Sequence, residues 1–402
     1  MYLRLLAAQA PAANLAPDSL WVLCQRWGTG YNSRLQTEHG LTDNALAALA
    51  VVSSSDTGVL TDIAKVIGLT KGDFAALEKT GRVSFHQGAQ VLNPIKPDLL
   101  GWAFALSALQ NLPASQSHSY ANLAWENDFF DTGRFMEHAL KLGYLQHAWA
   151  KALRQTPADS LSEHGATARA KAATNAVAQY GGAQRFDKMA DELAVAQDIA
   201  KRFANNPEIQ LTRAKAATNA VSHYGSDKRF DDMADELALA QDIAKRFANN
   251  PEIQLTRAKA ATNAVNHYGG AQRFDDMADE LAVAQDIAKR FANNLEIQLT
   301  RAEAATNAVA DYGGAQRFDK MADELAVVKI IAADHKANLE IQLRLARCYG
   351  NQIPALLANG RAADDAVAAL IDHLVSYPEL AEQPPFNELF SAFRQDQPNQ
   401  SQ

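Results

Sequence analysis

The apolar positions in the middle of the chain follow the 3.6-residue period of an α-helix in two consecutive stretches. The first stretch places its apolar and small side chains at Ile209, Thr212, Ala216, Ala220 and Tyr224. The second stretch places them at Phe230, Met233, Leu237, Ala240, Ile243, Ala244 and Phe247. The polar pair Asp227 and Lys228 separates the two stretches. The pattern therefore predicts a helical hairpin whose second helix has about five turns.

This hairpin pattern returns with a period of 44 residues. Its four copies begin at Arg169, Arg213, Arg257 and Arg301. The second and third copies differ at only six positions, mostly at the end of the first helix and in the turn that follows. A fixed period of this length indicates a repeat array, in which each unit buries its apolar face against its neighbours. Such arrays present long surfaces, which favours a binding scaffold over an enzyme.

Local residues predict where the helices of each unit begin and end. Asn206 is a favourable N-cap, and Pro207 fits the first helical turn. Gly225 is expected to end the first helix. Asp242 and Arg246 lie four residues apart on the outer face of the second helix, where they are expected to pair weakly.

The hairpin resembles the tetratricopeptide repeat in an enlarged form. The residues that carry the resemblance are Tyr180, Phe186, Leu193 and Ala196, at the spacing of that family's inter-helix packing positions. Met189 departs from the family, which prefers a small residue there, and the unit is longer than the usual repeat of about 34 residues. The resemblance covers roughly residues 120–375 and implies an all-α solenoid of helical hairpins.

In tetratricopeptide arrays the first helix of each hairpin lines the concave face, so the resemblance implies four columns of candidate partner-binding residues. These are Lys171, Lys215 and Lys259 (Glu303 in the last unit); Thr174, Thr218, Thr262 and Thr306; Asn175, Asn219, Asn263 and Asn307; and Ser222 and Asn266 (Ala178 and Ala310 in the outer units). Such donors are suited to a peptide backbone or a carboxylate. The alternative is a solvated face copied by duplication.

The array is expected to have degenerate ends. Residues 133–135 are interpreted as the turn of a degenerate upstream unit, and residues 356–361 as the turn of a degenerate last unit. Residues 386–393 are expected to form a short amphipathic cap, and residues 395–402 to be disordered.

Residues 41–106 carry a different pattern. Helices are predicted over 44–52, 61–68 and 71–81, followed by strands at 82–85 and 90–92. Ala64 and Gly68 permit close packing at the turn of a helix-turn-helix, so a small winged-helix domain is predicted. Its third helix carries Lys71 and Lys79 against Asp73 and Glu78. Because its net charge is near zero, DNA binding is not favoured.

This N-terminal segment is similar to the winged-helix region of signal-transduction ATPases with numerous domains. Residues 93–106 resemble the segment that leaves the winged helix in bacterial members, and residues 3–8 resemble the helix after their nucleotide module. The motif G-x-x-x-x-G-K-S/T is absent from the chain, so no phosphate cradle, nucleotide cofactor or ATP hydrolysis is expected.

The predicted organisation is an all-α solenoid preceded by a small winged-helix domain. Its parts are residues 1–40 (helical remnant or linker), 41–110 (winged-helix-like domain), 111–168 (degenerate helical repeat and connection), 169–344 (four repeats), 345–380 (degenerate capping repeat) and 381–402 (C-terminal tail).

Composition and charge exclude several function classes. The net charge of −8 disfavours general binding to nucleic acid or membrane surfaces. Cys24 and Cys348 share no motif, which suits a reducing compartment, and a cytoplasmic location is expected. The apolar stretch at 99–109 is too short to span a bilayer.

No motif for catalysis or metal binding is present in the sequence. Gly28 and Gly30 are interpreted as parts of a turn. His223 and His267 lie one period apart and are expected to stack near each other. The acidic residues at 231, 232, 235 and 236 are interpreted as a solvated helix start. No cofactor and no metal site are therefore predicted.

The expected function is a non-catalytic protein–protein interaction scaffold or sensor module of a bacterial signalling ATPase. Its partner is a protein or peptide bound on the concave face, and a nucleotide-binding module on another chain is a second candidate partner. Two alternatives remain open. One is a transcription regulator with a DNA-binding winged helix, and the other is a structural repeat protein that self-assembles.

Overall fold

A computed structural model describes residues 17–55, 57–96, 98–111, 113–127, 129–141, 147–384 and 386. The chain divides into two compact units. Unit 1 contains residues up to 177 together with residues 190–212, and unit 2 contains residues 178–189 and those from 213 onward. The boundary therefore runs through the first hairpin of the array. The predictions for residues 3–8, 387–393 and 395–402 lie outside the described residues.

The part of unit 1 before the repeats combines helices with a small sheet. The elements are α1 (Pro17–His39), α2 (Asp43–Ser54), β1 (Gly58–Val59), α3 (Leu60–Ile67), α4 (Lys71–Lys79), β2 (Val83–His86), β3 (Ala89–Leu92), α5 (Asp98–Ala108), α6 (Ala114–Asn127), α7 (Phe129–Lys141) and α8 (Ala148–Arg154). The sheet is antiparallel with strand order β1-β3-β2. The predicted order of three helices followed by a β-hairpin is confirmed, while β1 was not predicted.

Capping residues explain where these helices begin and end. The Thr42 hydroxyl accepts a hydrogen bond from the Ala45 amide at the start of α2. Thr70 and Asp73 form a reciprocal capping box at the start of α4. Gly68 ends α3 with a φ of 77°, a left-handed conformation that glycine adopts without a steric penalty. The turn between α3 and α4 therefore depends on Gly68, which the sequence pattern had singled out, and on the capping pair Thr70 and Asp73, which it had not.

The long helix α1 belongs to the apolar core of unit 1. It packs against α5, and its residues Trp21, Cys24 and Leu35 are buried in a cluster that extends to Ile209. Gly28 lies in the middle of α1, so the interpretation of residues 28–30 as a turn was wrong.

The segment that was interpreted as the turn of an upstream repeat is also helical. Residues 133–135 lie within α7, and Phe135 is buried in the core. The prediction of a turn was therefore wrong, because Gly133 is accommodated inside a helix.

The four sequence repeats fold as helical hairpins, as predicted. Their helices are α9 (Glu163–Gly182), α10 (Phe186–Arg202), α11 (Pro207–Ser226), α12 (Phe230–Arg246), α13 (Pro251–Gly270), α14 (Phe274–Arg290), α15 (Leu295–Gly314) and α16 (Phe318–Asp334). The chain continues with α17 (Leu339–Leu357), α18 (Asp364–Ser376) and α19 (Pro378–Ala381). The predicted turn at 356–361 is confirmed, with Gly360 at a φ of 65°. This is an all-α helical repeat array, compatible with a tetratricopeptide-like solenoid.

The turn of each hairpin depends on a residue other than the predicted glycine. Lys228 and Gln272 adopt positive φ values of 61° and 59°. The amide of the next residue, Arg273, then donates to the carbonyl of Tyr268 over 2.8 Å. Helix α11 ends at Ser226, so the predicted end is correct to within one residue, although the left-handed conformation belongs to Lys228 and not to Gly225. The missing side chain of Gly225 instead leaves room for His267 of the next hairpin.

Aromatic residues fill the contacts between hairpins of unit 2, as predicted. Phe230 at the start of α12 stacks on Tyr268 of α13, with ring centroids 5.7 Å apart. The guanidinium of Arg273 lies 4.9 Å from the Phe230 centroid and 5.1 Å from that of Tyr268. Helix α13 also packs directly against α15, and α15 packs against α17. First helices therefore form a continuous layer in this unit.

Candidate functional site

The exposed side of the first helices carries the lysine and asparagine columns. Lys215, Asn219 and Ser222 lie at positions i, i+4 and i+7 of α11 and therefore share one face. In α13 the equivalent residues are Lys259, Asn263 and Asn266. We call the residues Lys215, Asn219, Ser222, Lys259, Asn263, Asn266 and Asn307 the first-helix surface.

The lysine column is exposed in the middle of the array and neutralised at its ends. Lys215 and Lys259 are exposed, and neither forms an ion pair with a described residue. Lys171 in unit 1 pairs with Glu208, with 2.7 Å between Nζ and Oε1. Glu303, which takes the place of a lysine, lies 3.4 Å from Nη2 of Arg344. Positive charge is therefore available on the second and third repeats.

The asparagine column offers amides that are not used within the described part of the chain. Asn175 is exposed, while Asn219, Asn263 and Asn307 are half-buried. None of the four side chains has a hydrogen-bond partner among the described residues. Each amide has two N–H donors and one acceptor oxygen. The three asparagines of unit 2 can therefore form hydrogen bonds with a ligand without breaking contacts that the fold requires.

The threonine column does not belong to this surface, so its prediction as a binding column was wrong. Thr174, Thr262 and Thr306 are between 5% and 8% exposed, and Thr218 is half-buried. Their hydroxyls donate to the carbonyl four residues earlier in the helix. Three of them also lie within hydrogen-bond distance of a carbonyl in the next first helix, as Thr262 does with Thr300 at 3.3 Å. These threonines link the first helices of consecutive repeats.

A buried arginine in each of the four repeats was not predicted from the sequence. Arg169, Arg213, Arg257 and Arg301 are each 2% exposed. Each binds the glutamate 23 residues later. In the third repeat, Nη1 and Nη2 of Arg257 lie 2.8 and 3.0 Å from the carboxylate of Glu280. The signal available in the sequence was the identity of this arginine and this glutamate in all four copies. Buried charge of this kind requires a charged partner.

The same contacts correct the interpretation of the acidic helix start. Glu236 was interpreted as solvated, but it accepts hydrogen bonds from Nη1 and Nη2 of Arg213 at 2.8 and 3.0 Å. Asp232 pairs with Arg229 near the surface, at 2.8 Å. Glu236 and Asp232 therefore support the hairpin, while Asp231 and Asp235 are exposed, as the interpretation of a solvated helix start expects.

A second column of polar residues packs against glycines of the preceding hairpin. The ring of His223 lies against Gly181, and the ring of His267 lies against Gly225. Burial lowers the pKa of both histidines, which favours their neutral forms. The two rings do not contact each other among the described residues, so the predicted stacking was wrong. They serve as packing groups between consecutive repeats.

Asp311 occupies the equivalent position in the fourth repeat, where its carboxyl lies against Gly269. Burial raises the pKa of Asp311 to about 6. Between pH ~4 and ~6 the folded state then binds more protons than the unfolded state, so stability falls as pH rises through this window. Asp311→Asn is expected to raise the free energy of unfolding above pH 6, by on the order of 1 kcal/mol after allowance for partial solvent screening.

The measurement is urea denaturation of both proteins at pH ~4 and at pH ~8, on either side of this window. The gain is expected at the higher pH and should be absent at the lower pH. An equal effect at both values would show that packing, rather than titration of Asp311, causes the change.

The described residues offer little support for other classes of site. They contain no group of three or more His, Cys, Asp or Glu side chains placed to bind a metal ion. None of the described helices combines the length and apolarity of a membrane span. On α4 the exposed charges are Lys71, Glu78 and Lys79, because Asp73 is only 2% exposed and caps the helix. The exposed charges of α4 therefore sum to one positive charge, which is a small footprint for nucleic acid.

No protein-family model, no curated protein and no solved structure matches this chain. Its own residues and their contacts are therefore the basis for a functional proposal.

Proposed function

We propose that this protein is a non-catalytic scaffold that binds an extended segment of a partner protein on the first-helix surface. The observation that carries the proposal is that the half-buried amides of Asn219, Asn263 and Asn307, all in unit 2, have no hydrogen-bond partner among the described residues. An extended peptide presents a backbone carbonyl and N–H at regular intervals, which suits a row of amides. Lys215 and Lys259 flank the column and favour a segment with acidic side chains.

The N-terminal segment extends this proposal. We infer that residues 41–110 form a winged-helix domain of the kind that precedes the repeats in signal-transduction ATPases with numerous domains. The order α2-β1-α3-α4-β2-β3 supports this inference. On this basis the chain acts as the sensor or scaffold half of a signalling system, and a nucleotide-binding module on another chain is its second partner.

The test is selection of peptides from a random display library on the immobilised full chain, followed by affinity measurement. One variant carries Asn219→Ala, Asn263→Ala, Lys215→Ala and Lys259→Ala. The control variant carries Lys245→Ala and Lys289→Ala, which remove two exposed lysines from the second helices. Each lost hydrogen bond contributes about 0.5–1.5 kcal/mol, so the first variant is expected to bind at least tenfold more weakly.

The selected peptides are expected to be enriched in Asp and Glu and to bind the control variant with unchanged affinity. Equal weakening by both variants would indicate a general charge effect instead of a defined surface. Peptides that bind both variants as tightly as the unmodified chain, or a selection that yields no binder, would contradict the proposal.

A further inference from the structure

A polar cavity of about 500 Å³ lies in unit 1, between helices α1, α2, α5 and α6. Its lining includes the carboxamides of Asn32, Gln36, Asn44, Asn111 and Gln116. This volume is within the range of small-molecule sites, which is about 300–1,000 Å³. The cavity is separate from the repeat array, and the scaffold function proposed above does not use it.

Two polar groups of the lining have no hydrogen-bond partner among the described residues. The Oδ1 atom of Asn32 is buried and has no hydrogen-bond partner among the described residues. The side chain of Tyr120 is largely buried, but its hydroxyl is not fully enclosed and has no hydrogen-bond partner within the described part of the chain, so it is open to a ligand. A buried polar group without a partner costs about 1–3 kcal/mol, so folded proteins rarely leave one unsatisfied. A hydroxyl-bearing ligand can donate to Asn32 and accept from Tyr120, so it matches the chemistry of both groups.

The charges of the lining restrict the class of ligand. Among the described residues of the lining, Asp43 alone carries a full charge at neutral pH, and its carboxylate accepts a hydrogen bond from Gln36 at 3.1 Å. Burial raises the pKa of Tyr120, so its hydroxyl stays protonated and able to donate. The described lining contains no lysine, arginine or histidine. An anionic ligand would therefore lack a counter-charge, and a neutral ligand is favoured.

The aromatic content of the lining restricts the class further. Tyr120 is the only aromatic residue among the described residues of the lining, and with 2% exposure it presents no open ring face. Ligands that are recognised by stacking, such as nucleosides, would find no platform here. Carboxamides and hydroxyls instead match a molecule that has many hydroxyl groups and little flat apolar surface.

We propose that this cavity is a binding site for a neutral, hydroxyl-rich small molecule of the mono- or disaccharide class. Asn32 and Tyr120 are its fixed hydrogen-bond partners, and the remaining carboxamides adapt to the other hydroxyls. Because the cavity contacts four helices, a bound sugar links α1 and α2 to α5 and α6. Binding therefore stabilises unit 1 by mass action.

Isothermal titration of the full chain with glucose, galactose, N-acetylglucosamine, maltose and trehalose tests this site. Glucose 6-phosphate is the charged comparison. Saturable binding is expected for at least one neutral sugar, with a much weaker response to the phosphate ester. The absence of saturable binding by every neutral sugar up to about 10 mM would overturn the proposal.

Two matched variants separate a specific site from general sugar effects. Tyr120→Phe removes only the hydroxyl that lacks a partner, so the ligand-free variant should be as stable as the unmodified chain. Its affinity for the sugar is expected to fall at least tenfold. Tyr31→Phe removes a hydroxyl from α1 outside the cavity lining and should leave affinity unchanged. Equal affinity of Tyr120→Phe and the unmodified chain would also overturn the proposal.

Discussion

Replacing Glu280 by alanine is expected to destabilise the repeat array by about 3–5 kcal/mol, because it leaves a buried arginine without its counter-charge. Arg257 is 2% exposed and forms two hydrogen bonds to Glu280, at 2.8 and 3.0 Å. Its Nε donates a third, at 2.9 Å, to Gln241 of the preceding hairpin. The guanidinium keeps its charge at any accessible pH, so deprotonation cannot relieve the loss.

The measurement is urea denaturation of the full chain, followed by far-UV circular dichroism. The control is Asp242→Ala, which removes an exposed partner of Arg246 at 3.4 Å. Exposed pairs of this kind contribute about 0–1 kcal/mol, so the control should change the midpoint little. If Glu280→Ala and Asp242→Ala have the same small effect, the buried pair does not support the fold.

The double variant Arg257→Leu with Glu280→Leu distinguishes the pair from its parts. Replacing a buried ion pair by apolar residues is often close to neutral, since both desolvated charges disappear together. The double variant should therefore recover most of the stability that Glu280→Ala loses. Failure to recover it would assign the loss to packing at position 280.

The buried arginine also explains how one repeat keeps its register against the next. The hydrogen bond from Arg257 to Gln241 joins α13 to the second helix of the preceding repeat. Arg301 makes the equivalent hydrogen bond to Gln285 at 2.8 Å. A hairpin shifted along its neighbour would leave these guanidiniums with incomplete partners. The apolar contacts between alanine-rich helices are less specific, because alanines fit against one another in several registers.

The hairpins could be predicted from the sequence because their signals are local. Asn250 caps α13 by accepting from the amides of Glu252 and Ile253, as an asparagine before a helix is expected to do. The apolar period alone determined which side of each helix is buried, and Met233, Leu237 and Ile243 are all buried.

What could not be predicted depends on partners that are distant along the chain. Glu236 looks like a surface residue until Arg213, 23 residues earlier, is placed beside it. Thr262 looks like a member of an exposed column until the carbonyl of Thr300 covers it. The candidate surface was therefore only partly predictable, since helical spacing identifies a face but not what packs against it. The lysine and asparagine columns stay predictions for binding.

Gly28→Ala is the second substitution for which we expect a large effect. A methyl group at this position would lie 2.8 Å from the carbonyl carbon and oxygen of Ala103 and 2.9 Å from the amide nitrogen of Phe104. These are backbone atoms of α5, so a rotamer change cannot relieve the contact. Overpacking of this kind typically costs about 1–3 kcal/mol, and α1 must move away from α5 to accommodate the methyl group.

Gly30→Ala is the matched control, because it lies two residues later in the same helix and a methyl group there would meet nothing within 4 Å. Alanine is favoured over glycine within a helix by about 0.8–1.0 kcal/mol, so this variant is expected to be more stable than the unmodified chain. Opposite shifts in the urea midpoint would establish that Gly28 serves close packing. If both variants are stabilised, α1 does not approach α5 closely at Gly28, and the two glycines share only a conformational effect.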